Sequence, residues 1–167
     1  MKYTFSPAAD FDRLEEAAAE LYVPSDVSAQ VQRYRRLFSG FAETFGPCDR
    51  AAVFSAPGRT EIGGNHTDHQ HGRVLAGSID LDIIAVAAPN GEGVIRLKSE
   101  GFPMDVVELD DLEIHPEEYN RSVSILRGIA AWFARQGCRL EGFDAYTVSN
   151  VFKGSGLSSS AALEVLL

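Results

Sequence analysis

The sequence predicts one domain of the α+β class. Two amphipathic helical stretches come first, and short apolar runs typical of strands follow without regular βαβ repetition. The chain has 167 residues, of which 45% are apolar. That length suits a single globular domain which buries roughly two thirds of its unfolded surface.

The first fifty residues, 1–50, are predicted to form two helices that pack on the rest of the domain. Serine and proline at positions 6 and 7 give an N-cap with proline at the first helical position, and Pro24 closes this helix. The second helix is predicted to begin near position 25 or 26 and to end at Gly46. Its apolar residues recur at helical spacing: Val31, Tyr34, Phe38, Phe41 and Phe45.

The remaining residues, 51–167, contain the predicted strands: 51–55, 79–88, 94–98, 104–109 and 143–149. The first strand is expected to end in a turn at Pro57 and Gly58. The turn 90–93 is expected to join the second and third strands as a hairpin. One helix is predicted over 121–136, with Gly137 at its C-terminal cap, and another from about Ser158.

Charge and composition exclude several classes of protein. Asp and Glu number 24 against 15 Lys and Arg, for a net charge of −9, which argues against general nucleic-acid affinity. Residues 100–120 hold eight acids and no Lys or Arg, and are predicted to form a solvated face. Two cysteines exclude a disulfide scaffold, and no apolar run suits a signal peptide or a bilayer span. No membrane partner and a cytoplasmic location are therefore expected.

A glycine and serine loop at 154–160 follows a predicted strand and opens the last helix. Its residues are Gly154, Ser155, Gly156, Leu157, Ser158, Ser159 and Ser160. Backbone N–H groups and the positive end of a helix dipole meet in such a loop and favour a phosphate anion. It lacks the lysine of a Walker A loop and the third glycine of a Rossmann fingerprint. A serine-rich helix cap is the structural alternative.

A second polar segment, 58–72, lies between two predicted strands. It contains Arg59, Glu61, Asn65, His66 and Asp68. A loop this rich in polar groups is typical of a small-molecule site, and a carboxylate such as Asp68 accepts hydrogen bonds from two neighbouring sugar hydroxyls. Arg59 offers a permanent cation for developing negative charge. Glu61 in a surface ion pair is the alternative for that residue.

Three histidines in this segment require a metal site to be considered. A metal-dependent hydrolase would use four residues as ligands: His66, Asp68, His69 and His71. Apart from the acidic face, no second cluster of ligand residues completes a shell. A solvated loop tip is therefore preferred for His69 and His71.

Together the two segments resemble the galactokinases, within the superfamily of galactokinase, homoserine kinase, mevalonate kinase and phosphomevalonate kinase. The galactokinase signature G-R-x-N-x-I-G-E-H-T-D-Y compares with G-R-T-E-I-G-G-N-H-T-D-H at 58–69. The second motif, P-x-G-x-G-L-S-S-S-A, compares with F-K-G-S-G-L-S-S-S-A at 152–161. The resemblance extends over about 41–167.

The resemblance implies a domain like ribosomal protein S5 domain 2, with a left-handed βαβ unit, and phosphoryl transfer from ATP and Mg²⁺ to the anomeric hydroxyl of galactose or a related sugar. Arg59 would stabilise the transferred group, and Asn65, His66, Asp68 and Glu61 would bind the sugar. The loop 154–160 would bind the triphosphate, with Ser159 or Ser160 on Mg²⁺.

Departures from the family pattern weaken parts of this assignment. Asn65 stands where the family has glutamate, Glu61 where it has asparagine, and Phe152 where it has proline. The sugar is therefore not fixed as galactose. The family's aspartate base lies beyond the second motif and is not in this chain; Asp80 and Asp82 are conceivable substitutes, although a strand carboxylate is more often paired structurally.

The leading hypothesis is thus a truncated N-terminal part of a galactokinase-like kinase, inactive by itself. A non-catalytic sugar or nucleotide sensor is the alternative. The apolar side chains of Leu163, Leu166 and Leu167 are expected to be exposed and to drive self-association.

Overall fold

The computed structural model of the chain describes residues 11–48, 50–64, 71–151 and 159–167. It confirms the α+β class, because helices cover both faces of a single mixed sheet. Within the described residues, no helix combines the length and the hydrophobicity that a bilayer crossing requires.

Two N-terminal helices cover one face of the sheet. They are α1 (Phe11–Leu21) and α2 (Val27–Phe45). The predicted apolar stripe of α2 is confirmed by the burial of Val31, Tyr34, Phe38 and Phe41, which pack with Leu14 and Ala18 of α1 against the sheet. The predicted start of α1, at positions 6 and 7, lies outside the described residues.

The sheet contains five strands in the order β1-β2-β5-β3-β4. They are β1 (Ala52–Gly63), β2 (Leu75–Pro89), β3 (Val94–Ser99), β4 (Met104–Glu108) and β5 (Phe143–Ser149). All five predicted strands exist. Neighbouring strands are antiparallel except β3 and β5, which are parallel.

Two predictions about the strands are wrong. β1 does not end at Pro57 and Gly58; the pairing with β2 only shifts register between Pro57 and Arg59 and then continues. The exposed edge of β1 explains this, since an edge strand tolerates proline and a bulge. The turn 90–93 does not make a hairpin either, because β5 inserts between β2 and β3 and pairs with both.

The other face is covered by α3 (Ser122–Arg135) and α4 (Ser159–Leu166), with a short 3₁₀ turn, Pro116–Glu118, before α3. Leu126 and Ala130 of α3 pack against Ile95, Leu97 and Val107 of the sheet. Gly137 follows α3 with a φ of 78°, the left-handed conformation predicted for its cap.

Expectations about two surfaces need correction. Leu163, Leu166 and Leu167 are half-buried and join the sheet's apolar clusters, whereas Val165 is 78% exposed. Leu166 follows Ala162 by four residues and so shares its helix face, and Leu163 lies beside that face, whereas Val165 lies at its margin. In the acidic segment, Asp105 is buried and accepts a hydrogen bond from Ser122, so that face is not wholly solvated.

Candidate functional site

The second half of β1 carries the first predicted site residues. Arg59 is half-buried and lies opposite Ser78 of β2, whereas Glu61 is exposed and lies opposite Ala76. Register shifts occur on both sides of this pair of residues. Arg59 and Glu61 therefore belong to a strand, not to a loop as predicted. A strand holds a side chain more firmly than a loop, which suits a cation that must be positioned.

The two ends of the loop between β1 and β2 are close together. Gly64 has a φ of 120°, and a Cβ atom there would lie 2.6 Å from the carbonyl oxygen of Arg73 and from Cα of Val74. Any side chain at this position would collide with backbone, so glycine is required for the close approach. His71, at the other end of the loop, is exposed with a φ of 61°. The predicted sugar-binding residues Asn65, His66 and Asp68 lie outside the described residues.

The last helix begins with two of the predicted phosphate-loop serines. Ser159 is half-buried and Ser160 is exposed, both in the first turn of α4, where backbone N–H groups lack partners within the helix. The remaining residues assigned to the phosphate loop, 154–158, lie outside the described residues. α4 packs directly against β1 and β2, with Ala162 in contact with the cluster of Ile83 and Val151. The helix and the strand of Arg59 are therefore neighbours.

A buried polar cluster lies where β2 meets both β1 and β5. Asp82 is 3% exposed, and its carboxylate accepts hydrogen bonds from Arg33 Nη1, Tyr22 Oη and Ser55 Oγ, each at 2.5 Å. Arg33, 4% exposed, also donates to Gln30 at 3.0 Å. Asp82 is thus paired structurally, as expected for a strand carboxylate, and is not available as a base.

Three residues of this cluster are not among the site residues predicted from the sequence: Arg33, Tyr22 and Ser55. A signal was present: Gln30 and Arg33 lie on the same helix face as Tyr34, Leu37 and Phe41, so polar residues interrupt an apolar stripe. Burial and the hydrogen bond to Asp82 raise the pKa of Tyr22, and burial raises that of Tyr34. Both hydroxyls are therefore protonated donors at neutral pH.

Only one of the four candidate ligands of a metal-dependent hydrolase, His71, is among the described residues. Across the described ranges, no group of three histidine, cysteine or acidic side chains is placed to hold a metal ion. That hypothesis stays a prediction for His66, Asp68 and His69, and nothing in the described part of the chain supports it.

Comparison with known proteins gives a consistent result. The galactokinase galactose-binding signature matches residues 39–89, from α2 to the end of β2. Galactokinase from Streptomyces coelicolor is 34% identical over 136 residues, which are 81% of this chain and 33% of that protein. Galactokinase from Chloroflexus aurantiacus is 37% identical over 130 residues, 77% of this chain and 33% of its own length.

The chain matches the N-terminal part of the galactokinase family. It spans about a third of the length of these curated galactokinases. The crystal structure of Lactococcus lactis galactokinase complexed with galactose superposes with a TM-score of 0.72 at 31% identity, covering 80% of this chain and 35% of that one. The mevalonate kinase of Methanococcus jannaschii, 20% identical, shares the fold with a TM-score of 0.59 over 72% of this chain and 39% of its own.

The structure separates the predicted site residues into two groups. Arg59, Glu61, Ser159 and Ser160 lie on β1 and α4, which pack together. The sugar-binding residues predicted at 65–68 belong to a loop whose ends meet at Gly64 and Val74. Both strands that lead to these segments run toward the start of β2, with β5 ending opposite Ile83 and β1 ending opposite Leu75.

Proposed function

We propose that this chain forms the sugar- and nucleotide-binding part of a galactokinase-like kinase, which transfers a phosphoryl group from ATP to the anomeric hydroxyl of galactose or a related sugar. One observation supports this more than any other. The galactokinase signature matches 39–89, and the helix that begins within the second motif packs on the strand that carries Arg59. A kinase needs its sugar and phosphate sites side by side.

Each residue then has a role that its chemistry suits. Arg59 stabilises negative charge on the transferred phosphoryl group. Asn65, His66 and Asp68 bind sugar hydroxyls, and the loop 154–160 binds the triphosphate. Glu61, exposed on the strand of Arg59, contributes a further hydrogen-bond acceptor to the sugar.

The residues at the start of α4 fit a magnesium ion. Hydroxyl oxygens are hard ligands of the kind that Mg²⁺ prefers, and Ser159 and Ser160 offer two in one helical turn. Either serine would hold the ion, which supplies charge neutralisation for the phosphates when bound. The free N–H groups of that turn bind phosphate oxygens independently of the metal.

We expect the 167 residues by themselves to bind ligands without turnover. The family's aspartate base lies beyond the second motif, and Asp82 is occupied by Arg33, Tyr22 and Ser55. Calorimetry with galactose and with a non-hydrolysable ATP analogue plus Mg²⁺ tests binding, and an ATP-dependent phosphorylation assay on a sugar panel tests turnover. Binding of sugar without nucleotide would favour the non-catalytic sensor, and no binding of either ligand would refute the proposal.

The sugar site is tested by Asp68→Asn. Loss of the charged acceptor weakens galactose binding about tenfold or more, since hydrogen bonds to charged groups are the strong ones. ATP-analogue binding stays unchanged. His71→Asn, in the same loop and tolerant of a positive φ, is the matched control and leaves both affinities unchanged. Equal losses in the two variants would show that the loop is not a specific sugar site.

A further inference from the structure

Asp82 joins segments that are far apart in the chain. Its side chain accepts hydrogen bonds from the end of α1, from α2 and from β1, through Tyr22, Arg33 and Ser55. Its backbone carbonyl accepts from Arg33 Nη2 at 2.7 Å and from the backbone N–H of Asn150 at 3.0 Å. The same Arg33 nitrogen donates to the carbonyl of Val148 at 3.0 Å. Asp82 thus contacts α2, β1, the residue that follows α1 and the residue that follows β5.

Two of these contacts involve the strands that lead to the candidate loops. Ser55 precedes the bulge at Pro57 that leads to Arg59 and the sugar loop. Asn150 is next to the last described residue, Val151, before the phosphate loop. The polar cluster therefore holds the strand that enters one loop and the strand end that enters the other, through hydrogen bonds to a single residue.

Stability alone does not account for an ion pair at this place. Desolvating two charges is costly, and apolar residues of similar volume often serve stability equally well. Arg33 Nε is also buried with no hydrogen-bond partner among the described residues, which adds to the cost. The pair instead selects one placement of the surrounding elements. The three donors reach the carboxylate together in only one arrangement of α1, α2 and β1.

We propose that Asp82 is a positioning residue that sets the position of β1, the strand of Arg59, relative to the end of β5. This rests on the proposed kinase function. Ser55 transmits the position of Asp82 to β1, which carries Arg59 and leads into the sugar loop. The carbonyl of Asp82 accepts a hydrogen bond from the backbone N–H of Asn150 at the exit of β5. Displacement of a reacting group by about 1 Å costs roughly a hundredfold in rate, so such a tie has a direct consequence for phosphoryl transfer.

The sharpest test is Ser55→Ala, which cuts the link to β1 and leaves Asp82 bonded to Arg33 and Tyr22. Ser55 is exposed, so the domain stays folded. We expect galactose affinity to fall about tenfold, ATP-analogue affinity to stay within about twofold, and Ser55→Thr to restore the sugar affinity by returning the hydroxyl. Ser124→Ala, at a half-buried serine of α3 whose hydroxyl donates to the carbonyl of Arg121, is the control and changes neither affinity.

A purely structural role predicts a different result. If Ser55→Ala weakens both ligands equally, or neither, while the unaltered chain binds galactose, the positioning role is wrong. If the unaltered chain binds neither ligand, the proposed function is wrong. Amide hydrogen exchange then tests separately whether Asp82 holds β1 in place. Faster exchange at 56–61 with unchanged exchange at Asn150 in Ser55→Ala supports the tie to β1, and unchanged exchange at both refutes it.

Discussion

Two clusters of carboxylates and cations in this domain differ chiefly in burial. In one, Arg33 and Asp82 are almost fully buried between α2 and the sheet, and Tyr22 and Ser55 complete the carboxylate's partners. In the other, His115 lies near Asp111 at 3.1 Å and Glu117 at 3.4 Å on the surface before α3. The buried cluster is shielded from water and held by several hydrogen bonds, whereas the surface cluster is screened by solvent.

The largest effect is expected from breaking the buried pair. Asp82→Ala leaves the Arg33 guanidinium without its counter-charge and lowers the free energy of unfolding by about 3–5 kcal/mol. Urea denaturation measures the loss. The double variant Arg33→Met with Asp82→Leu loses less than Asp82→Ala alone, because no charge stays buried. A loss below about 1 kcal/mol for Asp82→Ala would show that solvent reaches the pair.

An intermediate effect is expected from the Arg127–Glu118 pair, whose side-chain exposure lies between those of the two clusters. Arg127 donates to both oxygens of Glu118, at 2.8 and 2.7 Å, and to the carbonyl of Asp111, and both side chains of the pair are mostly buried. Arg127→Met therefore costs about 1.5–3 kcal/mol in the same denaturation assay. Arg139→Met serves as the control, since Arg139 and Glu141 are 3.8 Å apart and exposed, and should have no measurable effect. Equal losses of stability in Arg127→Met and Arg139→Met would show that burial does not decide how much these ion pairs contribute.

The smallest effect is a pH dependence of the surface cluster. Hydrogen bonds to Asp111 and Glu117 raise the pKa of His115 above its ordinary value of 6.5, and the bond to His115 lowers the pKa of Asp111 below 3.8. The stabilisation from His115 is complete below 6.5 and is lost as pH rises through its raised pKa. That from Asp111 is present above 3.8 and is lost as pH falls through its lowered pKa.

An NMR titration of the His115 ring measures this directly. We expect a midpoint above 6.5 in the unaltered chain and a shift back toward 6.5 in Asp111→Asn. A midpoint at or below 6.5 would mean that the two carboxylates do not act on the imidazole in solution. Glu113→Gln is the matched control, because Glu113 meets Asp111 only through its backbone N–H.

Local patterns predicted most of the secondary structure. The stripe of α2, the strand at 143–149 and the capping glycine at 137 follow from periodicity and backbone preference, and all three are confirmed. The prediction of a hairpin at 90–93 was wrong because turn residues specify a reversal of chain direction but not the strand that pairs next. β5, which begins at Phe143, far beyond this turn in the sequence, occupies the place between β2 and β3.

The same contrast holds at the candidate site. The motifs at 58–69 and 152–161 stand in the sequence itself, so the galactokinase resemblance could be stated from residues alone, and the comparisons confirm it. The continuation of β1 through Pro57 could not be predicted, because only its position at the sheet edge makes a proline acceptable there.

The sequence by itself therefore determined most of the helices and strands, the galactokinase resemblance and the residue types of both loops, since these depend on spacing and chemistry along the chain. Tertiary structure alone decided the strand order, the packing of α4 on β1 and the meeting of Arg33 with Asp82. Those features depend on contacts between residues distant in sequence, and their free energy exists only once the sheet has formed and excluded water from the pair.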